Sequence, residues 1–295
     1  MLIIQKLEQL FVRFGDGDAR SQVAEYLIDA APTYDNESLT SVAGATGVSK
    51  PSVVRTVQTI GFEGWTDFNR AFSAECLLRR ERETGINHSI PFTRGDSLGT
   101  VAHNLAQIEA EAVKETQASL DMNEFARAVD WLRNARRILL LGWVNQRMLL
   151  ETFAYKLIKI GKIVEQPPAD YGRCYFGATG VGEGDCAIVV SYSGETGDRP
   201  PMSEVPALRA AGAKVVALTG EGDNYLRSHA DAVLTILSYE RLYKKLAEFS
   251  TEASTKYLLD TLYAGVFLGD YDGNLNIRLD RRRSGDDCRG DESHG

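Results

Sequence analysis

The chain has 295 residues, 43% hydrophobic and 25% charged, with a formal net charge of −8; these proportions are those of an ordinary globular protein with room for two cores. No apolar run reaches the roughly 18 residues of a membrane span, and Met1–Leu10 lacks the basic start and cleavage site of a secretion signal, so a cytoplasmic address is expected. The four cysteines stand apart without a CxxC pair, which excludes a disulfide frame and a cysteine zinc site; no metal or cofactor is expected.

In chain order, Met1–Leu10 has a short helical pattern, and residues 19–31 and 39–72 carry apolar positions three and four apart, interrupted by Pro32 and Gly47. That predicts an all-α domain over residues 1–80. It holds eight Lys or Arg against ten Asp or Glu, so bulk attraction to nucleic acid is absent and any DNA contact rests on a few placed groups. Residues 81–97, with Arg82, Gly85, Pro91 and Gly95, read as a linker. Two helices follow from Leu98, the second opening on Asp121 as N-cap with Glu124 three residues later, an acidic form of the capping-box spacing.

The pattern then changes. Arg137–Gly142, Lys162–Glu165, Cys186–Ser191, Lys214–Thr219 and Ala232–Leu237 are short β-rich runs separated mostly by helical stretches, which predicts an α/β domain, a parallel sheet flanked by helices, over residues 98–270. Leu246–Leu268 reads as a helix on that sheet or at a subunit contact. Residues 271–295 read as a largely disordered tail, being almost without apolar groups beyond Arg281.

Leu39–Ile60 meets the requirements of a helix-turn-helix. Val42 and Ala43 give a small apolar face, Gly47 allows a tight turn, and Val48 and Val53 plug the angle between two helices. Ser49 is a suitable N-cap and Pro51 fits the first turn of the next helix, so Ser49, Lys50, Ser52 and Arg55 are the candidate DNA-binding residues, placed to meet base edges or phosphates of double-stranded DNA. Pattern alone leaves an ordinary helical bundle equally open. The segment Leu39–Phe72, with Val48-Ser49, Arg55, Gly61-Phe62, Gly64 and Trp65-x-x-Phe68, resembles the N-terminal domain of RpiR-like transcriptional regulators. It departs from them at Thr56, Gln58 and Thr59, where the family tends to carry aromatic and basic residues.

Ser191-Tyr-Ser193-Gly-Glu195-Thr196 follows a strand directly, and loops at the carboxyl ends of parallel strands form ligand crevices. Its hydroxyls and amides suit a phosphate, although a polar turn with no ligand has the same look. Ile138–Phe267 resembles the sugar isomerase (SIS) domain of phosphosugar isomerases and RpiR-like regulators, through Ile138–Gly142, Ala154–Leu157, Gly184-Asp185, Ser191–Thr196 and Gly212–Val215. The resemblance implies that Ser191, Ser193 and Thr196 hold a phosphate, with Glu195 beside it. One departure bears on the ligand: the family's Gly-x-Gly-x-Ser is here Gly142, Trp143, Val144, Asn145 and Gln146. Asn145, Gln146 and Arg147 then recognise a different phosphosugar or other ligand, or binding has been lost.

Other features carry less. Gly180, Gly182 and Gly184 precede a strand and read as turn glycines; Asp270, Asp272, Asn274 and Asn276 read as a turn, lacking the Glu that closes a calcium loop. His103 and His229 have no visible catalytic partner. The rival reading is an enzyme, since Ala253–Lys256 resembles a stretch of the isomerase half of glucosamine-phosphate synthases, with Lys256 as Schiff-base or enediolate lysine and Glu248 or Glu252 as proton carrier. An attached helix-turn-helix favours regulation, so no catalytic residue is expected. The expected function is a regulator of carbohydrate metabolism, a homodimer or homotetramer that binds operator DNA and a phosphosugar-like ligand, with no membrane partner; a regulator with a degenerate, non-binding SIS domain is the further alternative.

Overall fold

In the computed structural model, which describes residues 2–15, 17–82, 85–168, 180–195 and 200–287, the apolar rows of the N-terminal region become helices. They are α1 (Ile3–Phe14), α2 (Ala19–Ala30), α3 (Leu39–Thr46), α4 (Lys50–Thr59) and α5 (Trp65–Arg82). Side-chain caps fix two of the starts: Asp18 accepts from the Arg20 amide ahead of α2, and Ser38 from the Ser41 amide ahead of α3. Leu7, Val23, Leu27, Val42, Val53, Val57, Phe68 and Phe72 meet in one core. Tyr34 enters it after α2, with its ring edge-on to Phe72 at 4.8 Å and its hydroxyl donating to Asn69; burial pushes its phenol above the ordinary value.

Compactness divides the chain into Met1–Glu111 with Tyr239–Phe249, and Ala112–Ser238 with Ser250–Gly295. The expected linker therefore belongs to the first unit. Its large apolar groups are few, but some of its polar ones are paired: buried His88 lies 3.1 Å from Glu111, and Asn87 accepts from the amides of Ser89 and Ile90. A buried polar group such as His88 is placed where its partner satisfies it.

After α6 (Leu98–Ala118) and α7 (Met122–Asn134), strands β1 (Arg137–Gly142), β2 (Val164–Glu165), β3 (Asp185–Ser191), β4 (Lys214–Gly220) and β5 (Ala232–Ile236) pair in the order β2-β1-β3-β4-β5, all parallel. Between them lie α8 (Val144–Ile158), α9 (Val205–Ala210) and α10 (Tyr225–His229), and α11 (Phe249–Leu268) and α12 (Tyr271–Asp287) follow. One face of the sheet, with Leu139, Leu141, Ala187, Val189, Val215 and Ala217, packs on Val205 and Leu208 of α9 and Leu226 of α10. The alternate residues Ile138, Leu140, Ile188, Val190, Val216 and Leu218 are equally buried, as strands covered on both faces require.

Asp121 caps α7 as expected, accepting from the amides of Asn123 and Glu124. Glu124 does not close a capping box; its carboxylate accepts from the Val233 amide of β5 and pairs with Arg127. The expected tail and the turn at Asp270–Asn276 are corrected by α12, which runs to Asp287, with residues 288–295 outside the described ones. Asp270 caps it by accepting from the Gly273 amide, and buried Asn274 donates to the Phe267 carbonyl, so its polar residues make a helix start rather than a solvated loop. Cys76 and Cys186 are buried, the thiol of the latter pushed up to about 12 by burial; Cys174 and Cys288 lie outside the described residues. Among the described residues no helix is long and apolar enough to cross a membrane.

Candidate functional site

The helix-turn-helix forms as its residues dictate. Gly47 ends α3 in the left-handed region, at φ 67° and ψ 12°, and the chain re-enters a helix three residues later, at Lys50. Val48, Val53 and Val57 are buried in the angle between α3 and α4. Phe62 and Trp65 pack on Phe68, so the Gly-Phe-x-Gly-Trp run is the turn into α5 and a plug for the core beneath α4.

With Val53 and Val57 inward, the opposite face of α4 is displayed. Ser49, Lys50 and Arg55 are exposed and Ser52 is half-buried. Ser49 occupies the N-cap position but its hydroxyl caps no amide; it lies 2.9 Å from the Ser52 hydroxyl, which accepts from Arg55 Nη2 at 2.9 Å. The three form a polar row, a guanidinium and two hydroxyls, along the start of α4.

In the second unit the strand order reverses direction at β1: β2 lies on one side and β3 on the other. The crevice between the carboxyl ends of β1 and β3 is thus the switch point of the sheet, where open α/β folds bind ligands. The register sets Gly142 against Val190 and Ser191 against Thr219, so the loop from Gly142 and the loop from Ser191 open side by side. Asn145 is exposed in the first turn of α8, with Gln146 and Arg147 half-buried beside it; across the crevice Ser191, Ser193 and Glu195 are half-buried. Thr196 lies outside the described residues. Trp143 supplies no side-chain cap to α8, a fifteen-residue helix whose first-turn amides face the carboxyl edge of the sheet.

Arg147 is placed differently from its neighbours. It donates to the Pro167 carbonyl and pairs with Glu151 at 3.3 Å, while its own carbonyl accepts from Gln166, so it is tied to the chain leaving β2, on the side of β1 away from Ser191.

Behind the Ser191–Glu195 loop stands a latch that sequence reasoning missed. Tyr192 is buried and donates to the Ser238 carbonyl at 2.7 Å; its own carbonyl accepts from the Gly220 amide at 2.9 Å. The Gly194 carbonyl accepts from Leu226 at the start of α10, and the Ser191 hydroxyl accepts from the Gly194 amide at 3.2 Å. Thr251 and Ser254 of α11 continue the network to Ser238 and to the Leu237 carbonyl. The available signal was a lone aromatic between two serines at a strand end, where alternation sends it to the opposite side from its neighbours.

The arrangement does not favour the enzymatic rival. Lys256 is exposed on α11 and ion-paired with Asp260, itself paired with Lys156, whereas a Schiff-base lysine needs a desolvated, neutral amine. Glu252 is exposed one turn away, and Glu248 pairs with Lys245.

Comparison with known proteins agrees with this geometry. The profile of the helix-turn-helix domain of the rpiR family matches residues 1–76, and that of the SIS domain matches residues 131–266. A Clostridium perfringens protein named as an HTH-type transcriptional regulator is 23% identical over 266 residues, covering 90% of this chain and 92% of that protein. The structure of the Vibrio vulnificus NanR protein complexed with ManNAc-6P superposes with a TM-score of 0.57 at 20% identity, over 95% of this chain and 97% of that one. The sugar isomerase domain of an RpiR transcription factor from Sphaerobacter thermophilus does so at 0.51 and 16% identity, over 62% of this chain and 98% of its own.

Proposed function

We propose, since this chain belongs to the rpiR family of helix-turn-helix transcriptional regulators and carries a SIS domain, that α4 reads operator DNA and that the β1/β3 crevice senses a phosphosugar. The observation that carries the reading is the polar row of Ser49, Ser52 and Arg55, with Lys50 exposed at the helix start, on a helix whose other face is sealed by Val53 and Val57. On this reading those four groups meet base edges or phosphates in the major groove. Asn145, Gln146, Ser191, Ser193, Glu195 and Thr196 surround the ligand, and the uncapped amides of α8 favour its anionic group. That a neighbour of the same fold is complexed with ManNAc-6P supports a phosphosugar as the ligand class.

A homodimer or homotetramer in the cytoplasm presents two copies of α4 to a two-fold operator, and ligand shifts the population of DNA-competent assemblies. The test is duplex binding followed by fluorescence anisotropy: Arg55→Ala costs about 1–3 kcal/mol if the row reads DNA. Unchanged affinity in both Lys50→Ala and Arg55→Ala overturns the reading.

A second reading, a regulator whose SIS domain no longer binds, is favoured by Arg147 being tied to Pro167 and Glu151. A thermal-shift screen of sugar phosphates separates the two. A ligand at a hundred times its Kd stabilises by about 2.7 kcal/mol, lost in Ser193→Ala; no shift with any sugar phosphate favours the empty crevice.

A further inference from the structure

We infer that Arg20 is a backbone-phosphate contact of the DNA-reading face, which extends from α4 onto the start of α2; the inference rests on the reading of α4 given above. An open cleft of about 590 Å³ runs beside α4, lined on one side by Ser52, Arg55, Gln58 and Thr59 and on the other by Asp18, Ala19 and Arg20. Ser52, Arg55 and Thr59 recur on the face of α4 opposite buried Val53 and Val57, the same face that carries the polar row. A duplex seated on that face therefore meets the start of α2.

Arg20 is fixed there from two directions. Its guanidinium carbon lies 3.4 Å from the centroid of the Phe14 ring, and its Nε and Nη2 donate to the two carboxylate oxygens of Asp18 at 2.9 and 2.8 Å. Both partners remain partly in water, with side chains 38% and 28% exposed, and an ion pair in that setting adds little to stability. Its physical effect is on the side chain itself. A long, rotamer-rich arginine has been immobilised before any partner arrives, which removes an entropic cost of binding. Two of the five guanidinium donors are spent on Asp18, leaving three for an acceptor, and the planar fork suits phosphate.

Asp18 limits the strength of the contact. The Arg20 hydrogen bonds hold its carboxyl at about 2, so it stays ionised wherever the protein works and opposes an incoming phosphate. The pair is neutral overall, in keeping with a first domain that carries no excess of positive charge. Asn caps a helix about as well as Asp, so Asp18→Asn removes the opposing charge and keeps the start of α2 intact.

The experiment measures the affinity of the full chain for two duplexes of about 30 bp and unrelated sequence, between about 50 and 200 mM salt. Arg20→Ala is expected to reduce the slope of log affinity against log salt by about 0.9 per bound protomer, which narrows the advantage of wild type about threefold across that range, equally on both duplexes. Arg20→Lys keeps most of the slope, and Asp18→Asn binds more tightly than wild type. An unchanged slope in Arg20→Ala overturns the inference, as does a loss confined to one duplex, which marks a base contact. Tighter binding by Asp18→Asn is also required, and equal or weaker binding counts against it. If Arg55→Ala or Lys50→Ala loses affinity while Arg20→Ala does not, this inference alone fails; if none of the three does, the reading of α4 fails with it.

Discussion

Gly194→Ala is the perturbation that best tests how the Ser191–Glu195 loop is held. Gly194 sits at φ +60°, and a Cβ there would lie 2.3 Å from Asn224 Oδ1 and 2.6 Å from Thr219 Oγ1. The left-handed backbone costs a residue other than glycine about 1–2 kcal/mol. The clash adds the loss of what Asn224 does: its Oδ1 caps α10 by accepting from the Arg227 amide at 2.8 Å, and its Nδ2 donates to Thr219 Oγ1 at 3.0 Å. Removing an N-cap costs about 0.5–2 kcal/mol, so the total is about 1.5–4 kcal/mol. For a unit of this size that is a fall of roughly 3–16 °C in Tm, read by scanning calorimetry.

A second substitution isolates the cause. Asn224→Gly removes the clashing amide, and glycine at an N-cap costs only a few tenths of a kcal/mol relative to asparagine. Gly194→Ala in that background is expected to cost at least about 0.5 kcal/mol less than in wild type, a coupling that marks direct contact. Additive costs, or a Tm for Gly194→Ala within about 2 °C of wild type, would mean that β4 and α10 do not buttress the loop and that the latch is wrongly assigned.

Two further outcomes follow from single features. Gly47 has a positive φ but an added Cβ meets nothing within 4 Å, so Gly47→Ala should cost the first unit only the backbone term, about 1 kcal/mol, and Gly47→Asn less; a calorimetric cost above about 3 kcal/mol would contradict the open turn. Burial pushes the Asp185 carboxyl up, but hydrogen bonds from Arg136 and Arg137 and the Gly182 amide outweigh it and hold the carboxyl below its ordinary value. A depressed carboxylate stabilises the fold above its unfolded pKa near 3.8, and that contribution is lost as pH falls through the lower folded value. Tm of the second unit should therefore drop below about pH 4, and Asp185→Asn should flatten that drop while lowering Tm at neutral pH.

The sheet was legible because parallel strands buried on both faces spell unbroken apolar runs, and Ile138–Leu141 and Ala187–Val190 can be nothing else at that length. The helix-turn-helix was legible for a different reason: Gly47, Ser49 and Pro51 are punctuation with fixed conformational meaning, and the valines between them point one way. What escaped detection depends on pairs far apart in the chain. Nothing near His88 announces Glu111, and nothing near Tyr192 announces Ser238, so a buried polar contact looked like a linker in the first case and an anchor looked like a ligand loop residue in the second. Arg20 escaped in the same way, because its place beside Arg55 exists only once α2 and α4 have packed. The tail helix was misjudged on composition: Asp270 and Asn274 are polar, yet both bond to backbone at the start of α12.

The latch and the crevice also explain which loop positions are free to change. Around Ser191–Glu195 the inward groups, Tyr192 and Gly194, hold the loop to β4, α10 and the end of β5, whereas among the described residues Ser193 and Glu195 make no such anchor. The loop after β1 divides in the same manner. A Cβ at Gly142 would lie 2.9 Å from Leu150 Cδ1 and 3.0 Å from Gln146 Cβ, so packing of α8 onto β1 demands glycine there. Val144, at the third position, is 65% exposed and not demanded by the core, whereas Gln146, at the fifth, is half-buried against Gly142. The chain keeps the first glycine of the Gly-x-Gly-x-Ser pattern, which the fold fixes, and departs at the third position, which the fold leaves free, and at the fifth, which it holds only in part. On the proposed reading of the crevice, a departure at the exposed third position changes its lining while leaving the sheet, the helix start and the switch point where they are.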